Sequence, residues 1–409
     1  SYLRMDVSAT ADEAEASALK VSGLEAFGYE YVNQDDGWYE CPGPQGPTVD
    51  GFGRWVTDPA RFPPGPGGEN GIAVVAGYVH SLGLKFGIYV TPGISLQAVE
   101  DDSPILGTRY RADDIATGKP ENNYNCGGMV GIDYRKPGAQ AFVDSVVDEF
   151  AQWGVDYIKL DGIENKNAPD IRAWSEAIRQ SGRPMQLDVT EGSFTVALAG
   201  TLDTDATQWE YTSDIECYSC EHGGRSYPLT DYANVRKRFA TLALWYPYGG
   251  RQFAGYNDFD SVEVGNCADD GLSLPARQTV LSLWSLASSP LIIGANLTTL
   301  CPTDLRLLEN RAVLGVDQDG ISGAPVLRRA GEEVVAKSVR GGSIVGLFNT
   351  SGRARVVSTT ATALDLPACT KGYVLDNLWT QQATTSGVTI TARVPARGVA
   401  LFQVTSRCP

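Results

Sequence analysis

The sequence predicts a β/α barrel followed by an antiparallel β domain, and three observations predict it. From Ala11 to about Gly320, short β-branched runs alternate with amphipathic stretches, the signature of repeated β-α units and a parallel sheet. Past about Val316 the texture changes to short alternating runs separated by Gly, Thr and Ser, which reads as antiparallel strands. Four apolar runs of the first part end in carboxylates, where a β/α barrel builds its active site.

In chain order, the first part is predicted to place strands at 29–34, 84–90, 131–134, 157–160, 185–189, 205–210 and 291–293. Helices are expected at 10–27, 71–82, 140–153, 168–181, 232–243 and 274–287. The second part offers strands at 333–338, 343–349, 354–359, 372–376, 387–394 and 398–404. No linker rich in Pro or charge separates the parts, so a barrel over 1–318 is expected to pack directly on a β domain over 319–409. No solenoid repeat is evident.

The composition of the 409 residues, 43% hydrophobic and 20% charged with 45 Gly and 22 Pro, excludes disorder, collagen and a pure coiled coil. Lys plus Arg number 33 against 49 Asp plus Glu, a net charge of −16, so nucleic acid or an anionic membrane would be repelled. A neutral substrate meets no such penalty. The longest apolar runs fall short of the roughly 18 residues a membrane span needs. No signal-peptide pattern follows Ser1, which fits either removal of a leader or its absence. Eight Cys with only two His favour disulfides in an oxidising compartment, and hence a secreted protein, over a zinc cluster; reduced cysteines in a cytosolic protein are the alternative. Sequons at Asn296 and Asn349 add weak support for secretion.

The chemistry is expected where polar residues follow strands. Asp35-Asp36-Gly37-Trp38, Asp161-Gly162, Glu191 and Glu210 running on to Asp214 all stand there. Buried carboxylates without matching cations are costly, so a cluster persists where it works or is fully hydrogen-bonded. Glycosidic cleavage is its natural use: one carboxylate attacks, a second protonates the leaving oxygen, and other acids and aromatics hold the ring. The 8 Trp and 18 Tyr supply stacking surfaces. Lys159, two residues before Asp161 and so on the same strand face, would keep Asp161 ionised. The alternative reading of that pair is a structural ion pair.

These residues resemble the α-galactosidase-like glycoside hydrolases of family 27, a (β/α)8 TIM barrel followed by an antiparallel β-sandwich. The resemblance covers nearly the whole chain and rests on the run from Trp153 to Gly162, Asp35-Asp36-Gly37-Trp38, Leu84-Lys85-Phe86-Gly87-Ile88-Tyr89, Asn257-Asp258-Phe259-Asp260 with Val264-Gly265-Asn266, and the run from Leu283 to Leu291. It implies Asp161 as nucleophile and Asp214 as acid/base of a retaining reaction, their carboxyls about 5 to 6 Å apart. It implies sugar-binding roles for Asp35, Asp36, Trp38, Tyr89, Cys126, Lys159, Glu191, Glu210 and Asp260, with Phe194 excluding an N-acetyl group. No cofactor and no metal are implied; the partner is an oligo- or polysaccharide, and the chain a monomer or homodimer.

Departures from the family pattern gather around the sugar site. The arginine usual after the tryptophan before the acid/base motif is Glu210, inverting a charge, and the cysteine usual after the nucleophile's glycine is Ile163. Cys126 is therefore expected to find another partner or stay free. Tyr256 and Ser261 replace a tryptophan and a methionine. Terminal α-galactose is the expected leaving sugar; family relatives that cut isomaltose units from dextran, β-L-arabinopyranose or α-N-acetylgalactosamine show that the scaffold tolerates a shift. The family's first strand, with its Gly-Trp-Asn-Ser-Trp-like segment, is expected just before Ser1, trimmed or held in a separate piece.

Other residues and classes carry less. His80 reads as a helix residue. His222, after Cys217 and Cys220, lacks a fourth zinc ligand nearby, so a local disulfide is expected. Gly65-Pro66-Gly67-Gly68 and 42–47 read as loops, without the strand-to-helix context of a phosphate loop. A non-catalytic carbohydrate-binding barrel is opposed by the presence of both acids, and a metal-dependent hydrolase by the scarcity of His.

Overall fold

The computed structural model describes residues 2–190, 194–220 and 226–408. The chain divides into two compact units, Leu3–Ser213 and Asp214–Pro409 with Ser1–Tyr2.

In the first unit, the strands Tyr31–Gln34, Lys85–Val90, Tyr157–Leu160, Gln186–Val189 and Gln208–Glu210 form one parallel sheet in that order. Register pairs such as Ile88↔Ile158 and Lys159↔Asp188 keep all their C-terminal ends on one edge. Helices fill the crossovers, as short parallel strands require. Ala9–Ser22 begins at Ser8, whose hydroxyl caps Ala11 N, and ends at Gly23 in the left-handed region. Gly71–Ser81 is capped by Asn70. Ala139–Trp153 buries Phe142, Val143, Val146, Val147 and Phe150, a stripe at i, i+4 spacing turned into the interior. Ala168–Ser181 has the predicted bounds.

The helix expected at 10–27 ends at Ser22, and residues 24–27 form a separate 3-10 turn; two strand expectations also need correction. The run expected as a barrel strand at 131–134 is Met129–Ile132, which pairs antiparallel with Ile94–Ser95 and Ala116–Glu121. Its four residues are all buried, so its pattern matches that of a parallel core strand. The strand expected from 205 begins only at Gln208, because Ala199–Asp205 continues as helix.

In the second unit, Tyr232–Trp245 is capped by Asp231, and Leu274–Ala287 is buried around almost its whole circumference. The strand Tyr256–Asp258 escaped the sequence reading because two of its three residues are polar. The antiparallel part has a six-stranded sheet in the order Ala324–Arg329, Glu332–Val339, Gly342–Asn349, Val399–Ser406, Tyr373–Asn377, Gln382–Ser386. A second sheet pairs Arg355–Thr360 with Thr389–Val394. Val334, Val345, Leu347, Val357, Tyr373, Ile390, Val394 and Val404 fill the space between them. The edge strands Ala324–Arg329 and Gln382–Ser386 were not expected; the first contains Pro325 and the second is polar.

All eight cysteines pair: Cys41–Cys126, Cys217–Cys220, Cys267–Cys301 and Cys369–Cys408. Cys126 thus takes Cys41 as its partner. Asn349 is fully buried and its amide donates to the carbonyls of Arg353, Val394 and Pro395, so it cannot accept a glycan in the folded chain. Among the described residues, no helix is long and apolar enough to cross a membrane.

Candidate active site

Because the first unit's sheet is parallel, the residues that leave its strands converge on one edge. Asp35 and Asp36 follow the first strand, Asp161 the third, Thr190 the fourth, and Glu210 ends the fifth. Lys159, within the third strand, donates to Asp35 Oδ2 at 2.7 Å. The Asp35 side chain is 54% exposed, and the Lys159 ammonium beside it holds the carboxyl below its ordinary value. Burial would lower the Lys159 ammonium; the surrounding Asp35, Asp161 and Glu210 instead hold it well above its ordinary value.

Asp161 is 7% exposed, and Oδ1 accepts from Gly162 N at 2.8 Å and Thr190 Oγ1 at 2.9 Å. Burial raises its carboxyl to about 7, with Lys159 pulling down and Asp35 pushing up. Gly162 has φ +77°, and a Cβ there would meet the Asn122 Cβ at 2.9 Å, so the turn after Asp161 requires glycine.

Asp36 is buried, and burial raises its carboxyl. Its Oδ1 accepts from Gly37 N and Tyr39 Oη, both at 2.7 Å, and its Oδ2 from Asn125 Nδ2. Tyr89 is 1% exposed, and burial, then the charges of Asp161 and Asp36, push its phenol well above the ordinary value. Trp38, expected to touch substrate, is instead fully buried among Tyr39, Trp55, Phe150 and Trp153. Its indole donates to Tyr89 O at 2.8 Å, so it supports the wall from behind. Cys126, also expected to line the pocket, has its sulfur committed to Cys41. Glu210 is 3% exposed, and Phe194 packs edge-on against Tyr211. Glu191 lies outside the described residues, as does His222.

In the second unit, Tyr218 Oη donates to Asp214 Oδ2 at 2.6 Å. Asp260 adopts φ +70°, a conformation that costs a non-glycine residue on the order of 1 kcal/mol. Surrounding bonds hold it there. Its Oδ2 accepts from Ile215 N at 2.5 Å, its Oδ1 from Ser261 N, and its carbonyl from Trp284 Nε1. Arg238 Nη2 stands 3.4 Å from Oδ2. Asp260 therefore ties down the residue next to Asp214. Cys217 and Cys220 are joined to each other, which removes the thiolates a zinc site would need.

Apolar runs that stop at a charge mark the acids but do not mark Tyr39, Asn125, Thr190 or Tyr218, which hold them, or Asn122, which holds the turn after Asp161. The asparagine-rich stretch before Cys126 was the one available signal.

The chain matches the family model described as α-galactosidase A over residues 8–99 and 124–319, and the α-galactosidase C-terminal β-sandwich domain over 330–404. It is 27% identical over 412 residues to an α-galactosidase of Cyamopsis tetragonoloba, covering 98% of this chain and 83% of that one. An α-galactosidase A of Cellvibrio japonicus is 26% identical over 413 residues, 96% and 87% of the two chains. Among solved structures, a family 27 β-L-arabinopyranosidase of Geobacillus stearothermophilus superposes with a TM-score of 0.86 at 28% identity, covering 99% of this chain and 94% of that one. Fold, acidic strand ends and relatives together define a glycosidase, built as a TIM barrel followed by an antiparallel β-sandwich. The chain belongs to glycoside hydrolase family 27, the α-galactosidase family.

Proposed function

We propose that the chain is a secreted, exo-acting retaining glycosidase that releases a terminal sugar of the α-galactose configuration from an oligo- or polysaccharide. The observation that carries the reading is Asp161: a carboxylate at a strand end, oriented by Thr190 and Gly162 N, with the Lys159 ammonium opposing the burial that raises it. Asp161 attacks the anomeric carbon while Asp214 gives its proton to the departing oxygen, breaking the glycosidic bond and leaving a glycosyl ester. Asp214 then takes a proton from water, which displaces Asp161 with net retention. Asp35, Asp36, Tyr89, Lys159, Glu191, Glu210 and Asp260 serve the sugar and its surroundings, the catalytic part being 1–318 and the β part 319–409. The disulfides support secretion.

A second reading, release of β-L-arabinopyranose, is favoured by the buried Glu210 and by the likeness to the Geobacillus arabinopyranosidase. The two sugars share their ring hydroxyl pattern and differ by a hydroxymethyl group. Phe194, buried against Tyr211, supports exclusion of N-acetyl sugars.

A panel of p-nitrophenyl α-galactoside, β-L-arabinopyranoside, α-N-acetylgalactosaminide and α-glucoside, with dextran, tests both readings. Turnover of one of the first two, abolished by Asp161→Asn, is expected; turnover that survives the substitution overturns the mechanism. Replacing Glu210 by Arg should shift the preference toward the α-galactoside.

A further inference from the structure

Asp36 is the buried member of the acidic pair, and its hydrogen bonds leave it little freedom. A carboxylate has about four acceptor positions. Gly37 N and Tyr39 Oη occupy Oδ1, and Asn125 Nδ2 takes one position on Oδ2. One position remains, on Oδ2, facing whatever direction Asn125 leaves open.

Asn125 belongs to a loop, 122–126, that is itself held at several points. Asn123 Oδ1 accepts from Cys126 N at 2.9 Å and lies 3.2 Å from Tyr39 Oη. Cys126 is bonded to Cys41, five residues beyond Asp36. At its other end, Asn122 Nδ2 donates to Gly162 O at 3.0 Å. Gly162 N in turn holds Asp161 Oδ1. One short disulfide-pinned loop thus grips a carboxylate after the first strand and the turn that carries Asp161 after the third.

We propose that the loop 122–126 sets the sugar selectivity of the site: Asn125 is a positioning residue for Asp36, and Asn122 a positioning residue for the Asp161 turn. The inference rests on the reading of Asp161 as nucleophile and Asp36 as a group facing the sugar. With Asn125 present, Asp36 accepts one hydroxyl from one direction. Without it, the carboxylate gains a second acceptor position and can swing, so a hydroxyl of the wrong configuration is tolerated. Removing the Cys41–Cys126 bond frees the same loop and should produce a weaker form of the same change.

The test compares wild type, Asn125→Ala, Asn122→Ala and the double variant Cys41→Ser/Cys126→Ser, on the p-nitrophenyl panel and by calorimetric binding of free D-galactose, L-arabinose and D-glucose. For Asn125→Ala we expect a KM about tenfold higher, kcat within about threefold, and a tenfold narrowing of the ratio between the best and second sugar, with an unchanged Tm. Loss of one charge-assisted, oriented contact is commonly of that size. Asn122→Ala should instead lower kcat with little change in KM, since its contact supports the attacking group. Asn125→Gln, which keeps the amide, should recover part of the selectivity.

Selectivity and KM unchanged within twofold in Asn125→Ala would overturn the proposal. So would losses that track a fall in Tm, which mark a merely structural loop, or a wild type that binds none of the three sugars. Survival of activity in Asp161→Asn is a separate result: it removes the mechanistic reading, whatever Asn125→Ala does to selectivity.

Discussion

Lys159 is the cation on which the acids of the parallel sheet's edge depend. It bonds Asp35 directly and offsets the burial that raises Asp161 to about 7. The attack we propose for Asp161 requires its ionised form, so kcat/KM should fall as pH drops through about 7. Lys159→Met removes the charge that opposes burial, so this acid limb should move to higher pH, and a pH–rate profile reads the displacement directly. Tyr218→Phe tests the proposed acid/base. Its hydroxyl donates to Asp214 Oδ2 and orients that carboxyl, so its loss should lower kcat about tenfold with little change in Tm. The acids were legible in the sequence because strand ends announce themselves by an apolar run stopping at a charge. Asn125, Tyr39 and Thr190 were not, because their roles exist only once distant loops close on those acids. Trp38 misled for a related reason: adjacency to Asp36 in the chain says nothing about which way the indole turns, and it turns into the core.

Among the elements, the helix Leu274–Ala287 carries a buried ion pair, Arg277 with Asp304, whose side chains are 6% and 0% exposed. Asp304 also accepts from Cys267 N. Removing one partner strands a buried charge, so Arg277→Ala should destabilise by about 3–5 kcal/mol in urea denaturation, while the double change to apolar residues should cost much less. The periodicity of Ala168–Ser181 and Leu274–Ala287 gave their bounds, since long amphipathic or apolar runs with clear stops have one reading. Met129–Ile132 and Tyr256–Asp258 mark the limit. Four buried residues cannot distinguish a parallel strand from an antiparallel one, and Tyr-Asn-Asp carries no strand pattern at all.

At the scale of the whole molecule, net charge −16 combines with carboxyls that burial raises well above their unfolded values. Asp12 and Asp317 are pushed up to about 8, Glu149, Asp161 and Asp270 to about 7, and Asp170 to about 6. A group with a raised folded pKa contributes stability that is complete below its unfolded pKa, about 4, and lost as pH rises through the folded value. Tm should therefore decline from about pH 5 to pH 8, and a Tm that rises over that interval contradicts this assignment. The family and the two-part architecture were readable because their motifs span nearly the whole chain in order; the sugar was not, because the residues we propose to set it, Glu210 and the loop 122–126, stand outside those motifs. The claim on which everything else rests is covalent attack by Asp161. Incubation with a 2-deoxy-2-fluoro glycosyl fluoride of the galactose or arabinopyranose series, followed by peptide mass mapping, tests it most directly. One sugar per chain, esterified to the peptide containing Asp161, is expected; a label on another carboxylate would contradict covalent attack by Asp161, as would rapid turnover of the panel substrate with inverted product and no label.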